Sequence, residues 1–259
     1  MTLPKHDLAQ LKRAKELLEN PGLAAKFSNV LGSPVEKGMK LLPGKMQQAV
    51  HAATEAAMMK ALSLAVTSLG TRRGASNDKM HRLAAAASGA AGGAFGIAAI
   101  GIELPVSTTL ILRSIAEIAA AEGEDPRHID TKLACLTVFA LGSSRDQSDN
   151  ATESGYFAAR AALASAVTEA TKYLAEKGLG KTGAPALIRL ISLIASRFGI
   201  VVSQKAAAQM IPVIGAAGGA IINTLFIGHY QDMARGHFIV RRLEKIHGAE
   251  PVRLAYEKL

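Results

Sequence analysis

Four residues are best suited to chemistry: Glu103, Arg160, His229 and His237. A carboxylate and an imidazole together suffice for general acid–base work. These four are the candidate catalytic residues, should they meet in one cleft beside a glycine-rich hairpin. No nucleophile motif accompanies them. A broader set, Glu103, Arg113, Asn223, His229, His237 and Arg241, reads as a ligand site or a polar cluster inside the core. Glu103 and Arg113 are the only charged residues between Leu83 and Ala116. A buried charge needs a partner. Arg113 can reach Glu117 one helical turn on. Glu103 stands beside Pro105, where a helix is expected to break and free backbone groups, and its expected partner is Arg160 or His229.

Three patterns imitate known sites. The run Ala175-Glu-Lys-Gly-Leu-Gly180-Lys181-Thr182 nearly spells a phosphate-binding loop. That loop works where it leaves a β-strand, and the segment before this one is helical. Gly178, Gly180 and Gly183 also match the dinucleotide fingerprint, but no βαβ unit surrounds them and the next acid after Glu176 is Asp232. His229 and His237, with Asp232 between them, invite a metal. Two ligands on one helix normally sit three or four positions apart, and these are two turns apart. Glu103 could join them from another helix to complete such a site. The alternative is local pairing, for instance of His237 with Arg241. The sequence therefore implies no metal and no cofactor.

The elements that must position these residues are helical. The 259 residues include 48 Ala and 24 Gly, no Trp, and 4% aromatic residues. So much Ala with few β-branched or aromatic residues favours helices, and helices coated in small residues can approach closely. Leu8, Leu11, Ala14 and Leu18 mark a first helix that Asn20-Pro21-Gly22 ends. Short pieces follow over about 22–31 and 34–42, then a helix from Pro43 to about Leu69. Asp125 as N-cap with Pro126 after it should start a helix ending near Leu141. Further helices are expected over 155–177, from 185 to about 198 and on towards 209, and up to about Gly248. No period-2 strand is present. The expected fold is all-α: one multi-helix bundle of eight to ten helices over 1–259, with residues 1–20 peripheral. Two Gly/Ala-rich apolar helices should lie at its centre, over 83–102 and 206–228. Each contains the hexapeptide GAAGGA, at 89–94 and 215–220, whose small-xxx-small steps permit backbone contact.

A single Cys excludes an internal disulfide and a zinc knuckle. The formal charge is +9, with basic flanks and a mildly acidic middle. That distribution suits an anionic phospholipid surface. Nucleic acid is not an expected partner, because no binding motif is present and only 11 Phe or Tyr are available for stacking. The N-terminal segment has no apolar h-region, so cytoplasmic residence is the expectation.

Several segments resemble the EcsC protein family. They are Glu103-Leu-Pro-Val-Ser-Thr-Thr-Leu-Ile-Leu-Arg113 with Gly123-Glu-Asp125, Lys132 to Gly142, and Gly155-Tyr156-Phe-Ala-Ala-Arg160. Pro212 to Ala220, His229-Tyr230 and Ala234-Arg-Gly-His237-Phe-Ile-Val-Arg241-Arg242-Leu-Glu244 complete the set. The likeness spans roughly 20–248. It implies a bacterial, all-helical protein, cytoplasmic or peripheral to the inner face of the cell membrane and accessory to ABC transport or export. It supplies no agreed catalytic residues. Two functions follow as expectations. One is a membrane-associated accessory or regulatory protein that meets an anionic membrane surface or a membrane-protein partner. The other is an enzyme acting on a lipid or other lipid-like amphiphile.

Overall fold

The computed structural model describes residues 3–19, 22–31, 42–69, 100–142, 155–178, 184–209 and 215–259. Among the described residues there are nine helices and no strand, as the composition predicts. They are α1 (Lys5–Glu19), α2 (Leu23–Leu31), α3 (Gly44–Ser68), α4 (Ile100–Ala121), α5 (Ile129–Leu141), α6 (Gly155–Lys177), α7 (Pro185–Gln209), α8 (Gly215–His247) and α9 (Ala249–Lys258).

Small residues set several of the interfaces. On α3, Ala57, Ala61 and Ala65 are buried one turn apart, so this helix lies close against α4. On α6, Ala159, Leu163, Ala166, Ala170 and Leu174 recur at the helical period and are all buried. Gly236 of α8 is a close approach of a stricter kind. A Cβ there would stand 2.6 Å from Leu18 Cγ and 3.0 Å from the Ala14 carbonyl oxygen, so α1 docks where α8 has no side chain. The expected peripheral N-terminal segment is thus a helix seated on α8 and α9 through fully buried Leu11 and Ala14.

The centre is not built from small residues alone. Every residue from Leu133 to Leu141 of α5 is buried. Phe139, Phe198, Phe226 and Tyr230 form one aromatic cluster joining α5, α7 and α8, with successive ring centroids 5.0 to 6.1 Å apart. Edge-on and tilted rings at such spacings add to the burial of their area. Two apolar helices are central, α4 from Glu103 onward and α7, and both are long and apolar enough to cross a membrane. The expectation of two central apolar helices holds, but these are not the glycine-rich ones. Residues 83–99 lie outside the described residues, and so do 210–214. The second GAAGGA opens α8, with Gly218 and Gly219 buried.

Two local expectations need correction. Pro105 does not break α4. It removes one helical hydrogen bond, and the helix continues on both sides of it, with Thr109 Oγ1 donating to the Pro105 carbonyl at 2.7 Å. Asp125 does not cap α5, whose N-cap is His128. Its carboxylate instead accepts the Arg127 backbone N–H at 3.0 Å and the Arg127 guanidinium, closing a turn ahead of the helix. The last long helix ends at His247, as expected, because Gly248 takes φ 89°, and a short further helix, α9, follows with Pro251 in its first turn. Tyr256 and Val252 of α9 are fully buried beside Leu11 and Tyr156, which brings the two ends of the chain together.

Candidate functional site

Glu103 enters the bundle from α4 and is 6% exposed. Its partner is neither Arg160 nor His229 but Lys205 of α7, which is fully buried and donates to Oε1 at 2.6 Å. Gln209, one turn along the same face of α7, donates to Oε2 at 3.2 Å. Lys205 Nζ also stands 4.7 Å from the Phe226 ring centroid. Burial opposes ionisation of Glu103. The Lys205 charge and hydrogen bond, with Asn223 and Gln209, outweigh it and hold the carboxyl below its ordinary value. Burial likewise pulls the Lys205 ammonium below the usual lysine value, against the pull of Glu103. This is a closed, satisfied ion pair that ties α4, α7 and α8. A lone cation in the apolar run from Phe198 to Ala208 was the sequence signal for it, since two isolated charges of opposite sign in apolar helices require each other.

His229 and His237 lie eight positions apart on α8, about 12 Å along its axis. His229 Nε2 donates to the Gly142 carbonyl at 2.8 Å. Gly142 is required there, because a Cβ would stand 2.8 Å from that nitrogen. Burial, with a small push from Lys26, drops His229 to about 4 despite the Gly142 bond, so it is neutral. His237 does not pair with Arg241. Its Nδ1 stands 2.9 Å from the Tyr156 hydroxyl. Burial first, then the Arg160 and Arg241 charges, hold it well below the ordinary histidine value.

Around His237 the polar groups are linked. Arg160 NH1 donates to the Tyr156 hydroxyl at 3.3 Å, and its two terminal nitrogens grip Glu244 at 2.7 and 2.9 Å. Arg241 Nε donates to Glu124 at 3.1 Å. Lys245 at 2.8 Å and Thr131 at 3.0 Å also hold Glu124. Burial opposes ionisation of Glu124, but Lys245, Arg241 and Thr131 bring its value down. An open cleft of about 360 Å³ lies against this network. Arg160, His237 and Arg241 line it, with an apolar wall that includes Leu163, Ala164 and Val167.

The candidate residues therefore fall into separate places. Glu103 and Asn223 belong to the Lys205 pair. His229 serves Gly142. Arg160, His237 and Arg241 share the cleft, and Arg113 is exposed on α4. Asn223 and His237 are 14 positions apart on α8, about 21 Å along the axis. Hydrogen-bond reach is about 3 Å, so Glu103 and His237 cannot act on one reacting atom. Among the described residues no His, Cys, Asp and Glu group could hold a metal ion. Cys135 is buried and its thiol is pushed up to about 12, chiefly by burial, which keeps it unreactive. Sequence reasoning missed Lys205, Tyr156, Glu124 and Glu244 as site groups. Tyr156 and Arg160 are one turn apart, as are Arg241 and Lys245, but the acids they meet lie far away in the chain, Glu244 on α8 and Glu124 between α4 and α5.

Comparison with curated proteins and with solved structures finds no match. A family model does match, over residues 5–243, and it includes the Glu103–Arg113, Gly155–Arg160 and His229–Leu243 segments just described. By that match the chain belongs to the EcsC protein family.

Proposed function

We propose that this protein is a non-catalytic accessory protein that rests on an anionic membrane surface, on its cytoplasmic side, and serves a membrane-protein partner such as an ABC exporter. One observation carries the reading. The most apolar 18 residues of α7 have a mean hydropathy of 1.8, yet only 44% of them are buried. Its outer side exposes Ile188 (46%), Leu193 (36%) and Ile200 (40%), with Arg189 and Arg197 among them. Apolar side chains flanked by arginines suit the interface of an anionic bilayer, where burial and charge attraction add. The stretch 156–205 carries a net charge of +5. The closed state of the Glu103 pair and its distance from His237 favour this reading over an enzyme that uses all four candidate residues.

Cosedimentation with vesicles containing phosphatidylglycerol tests it. The protein should pellet at low salt, release at high salt, and ignore purely zwitterionic vesicles. Replacing Ile188, Leu193 and Ile200 by Ser should abolish pelleting in a chain that still folds, with a modest loss of thermal stability, because all three are exposed. Failure of the native protein to pellet at low salt, or unchanged pelleting of the triple variant, would overturn the proposal.

A further inference from the structure

The polar chain behind the cleft fixes where the His237 proton sits. Arginine only donates, so Arg160 fills an acceptor position on the Tyr156 oxygen and leaves the phenol its one proton. Tyr156 is 6% exposed, and the remaining buried acceptor within reach is His237 Nδ1 at 2.9 Å. The phenol therefore donates to Nδ1, and the imidazole proton stands on Nε2. That nitrogen is buried and has no hydrogen-bond partner. Leaving a buried N–H unsatisfied is costly, and this one belongs to a ring that lines the cleft. Arg241 lines it too. Its Nε–H goes to Glu124, which leaves its two terminal nitrogens as further donors. On the other side are Leu163, Ala164 and Val167.

We propose that the cleft between α5, α6 and α8 is a binding site for an amphiphile with an oxyanion head, a phosphate monoester or carboxylate. The head accepts from His237 Nε2–H and Arg241, and the alkyl part lies on Leu163, Ala164 and Val167. Tyr156 and Arg160 are positioning residues. They hold the imidazole in the tautomer that donates, and Glu244 holds Arg160. An acceptor-only head satisfies both donors; Asp130 also lines the cleft, but a cationic head would leave the His237 N–H unpaired and face the charges of Arg160 and Arg241. The site is separate from the outer side of α7, so it stands without the membrane reading.

The test is calorimetric titration of the full chain with decyl phosphate below its micelle concentration, beside decanoate, decyltrimethylammonium and inorganic phosphate. Decyl phosphate should bind one to one. Decanoate should follow, inorganic phosphate should bind at least tenfold more weakly, and the cationic amphiphile should not bind. His237→Phe removes the donor and should weaken decyl phosphate about tenfold or more. Ala164→Trp, at an exposed position on the wall, should block the cleft in a chain that still folds, whatever His237→Phe does to stability. The ¹⁵N shifts of His237 should show a protonated Nε2 in the native protein and a mixture of tautomers in Tyr156→Phe. The Ser triple variant of α7 should bind decyl phosphate normally. Equal binding of the cationic amphiphile, equal binding of inorganic phosphate, or undiminished binding by Ala164→Trp would each overturn the proposal.

Discussion

Removing one member of the Glu103–Lys205 pair should be far more damaging than removing both. Lys205→Met leaves a carboxylate that is 6% exposed without its cation. The chain can escape by protonating Glu103. From an ordinary value near 4.3, that costs about 4 kcal/mol at pH 7. Glu103→Gln leaves a fully buried ammonium, which can shed its proton at a cost of about 5 kcal/mol at pH 7. These escape costs cap the losses, and they agree with the usual 3–5 kcal/mol for breaking a buried pair. The double variant Glu103→Gln, Lys205→Met has no buried charge at this site, and the amide it introduces on α4 can still bond Gln209 and Asn223. It should fall within about 2 kcal/mol of the native chain. Urea unfolding followed by far-ultraviolet circular dichroism would measure all four proteins. The pH dependence is the sharper readout. At pH 5.5 protonating Glu103 costs only about 1.6 kcal/mol, so the Lys205→Met deficit should shrink by about 2 kcal/mol. The native chain behaves in the opposite sense at this site. Its Glu103 value is lowered, so the contribution is present above the unfolded value and is lost as pH falls through the folded one. Single variants that each lose under 1 kcal/mol, additive losses in the double variant, or a pH-independent Lys205→Met deficit would refute this account.

Two further outcomes follow from the buried groups. His229 titrates near 4 in the folded chain and near 6.5 when unfolded, so stability is full above about 6.5 and declines as pH falls towards 4, by about 2 kcal/mol at pH 5. His237 is shifted in the same direction and adds to the loss. Urea midpoints that do not fall between pH 7 and 5 would contradict the neutral burial of both rings. Gly236→Ala should cost about 1–3 kcal/mol by overpacking α1 against α8, and limited proteolysis should then cut near α1 first. Native-like protease resistance would show that Leu18 can step aside from the added methyl.

The local corrections share one cause. Pro105 and Asp125 both fall under short-range rules that their surroundings override. Pro105 is carried inside a helix packed against α3 and α8, and Arg127 competes for the Asp125 carboxylate. The family motifs mark the right stretches of chain, but they do not say which residues in them meet.

The helical class and most helix positions are legible in one dimension, because periodic burial such as Ala159-Leu163-Ala166-Ala170-Leu174 is written along one helix. The isolated charges are legible too, because a charge in an apolar run stands out from its neighbours. Their pairing is not. Glu103 and Lys205 are 102 positions apart, Tyr156 and His237 are 81 apart, and Arg160 and Glu244 are 84 apart. Nothing local favours Lys205 over Arg160 as the partner of Glu103. That choice comes from the packing of α4 and α7 onto α8. Only that packing separates the four chemically suited residues and leaves one of them, His237, with a buried donor beside an open cleft.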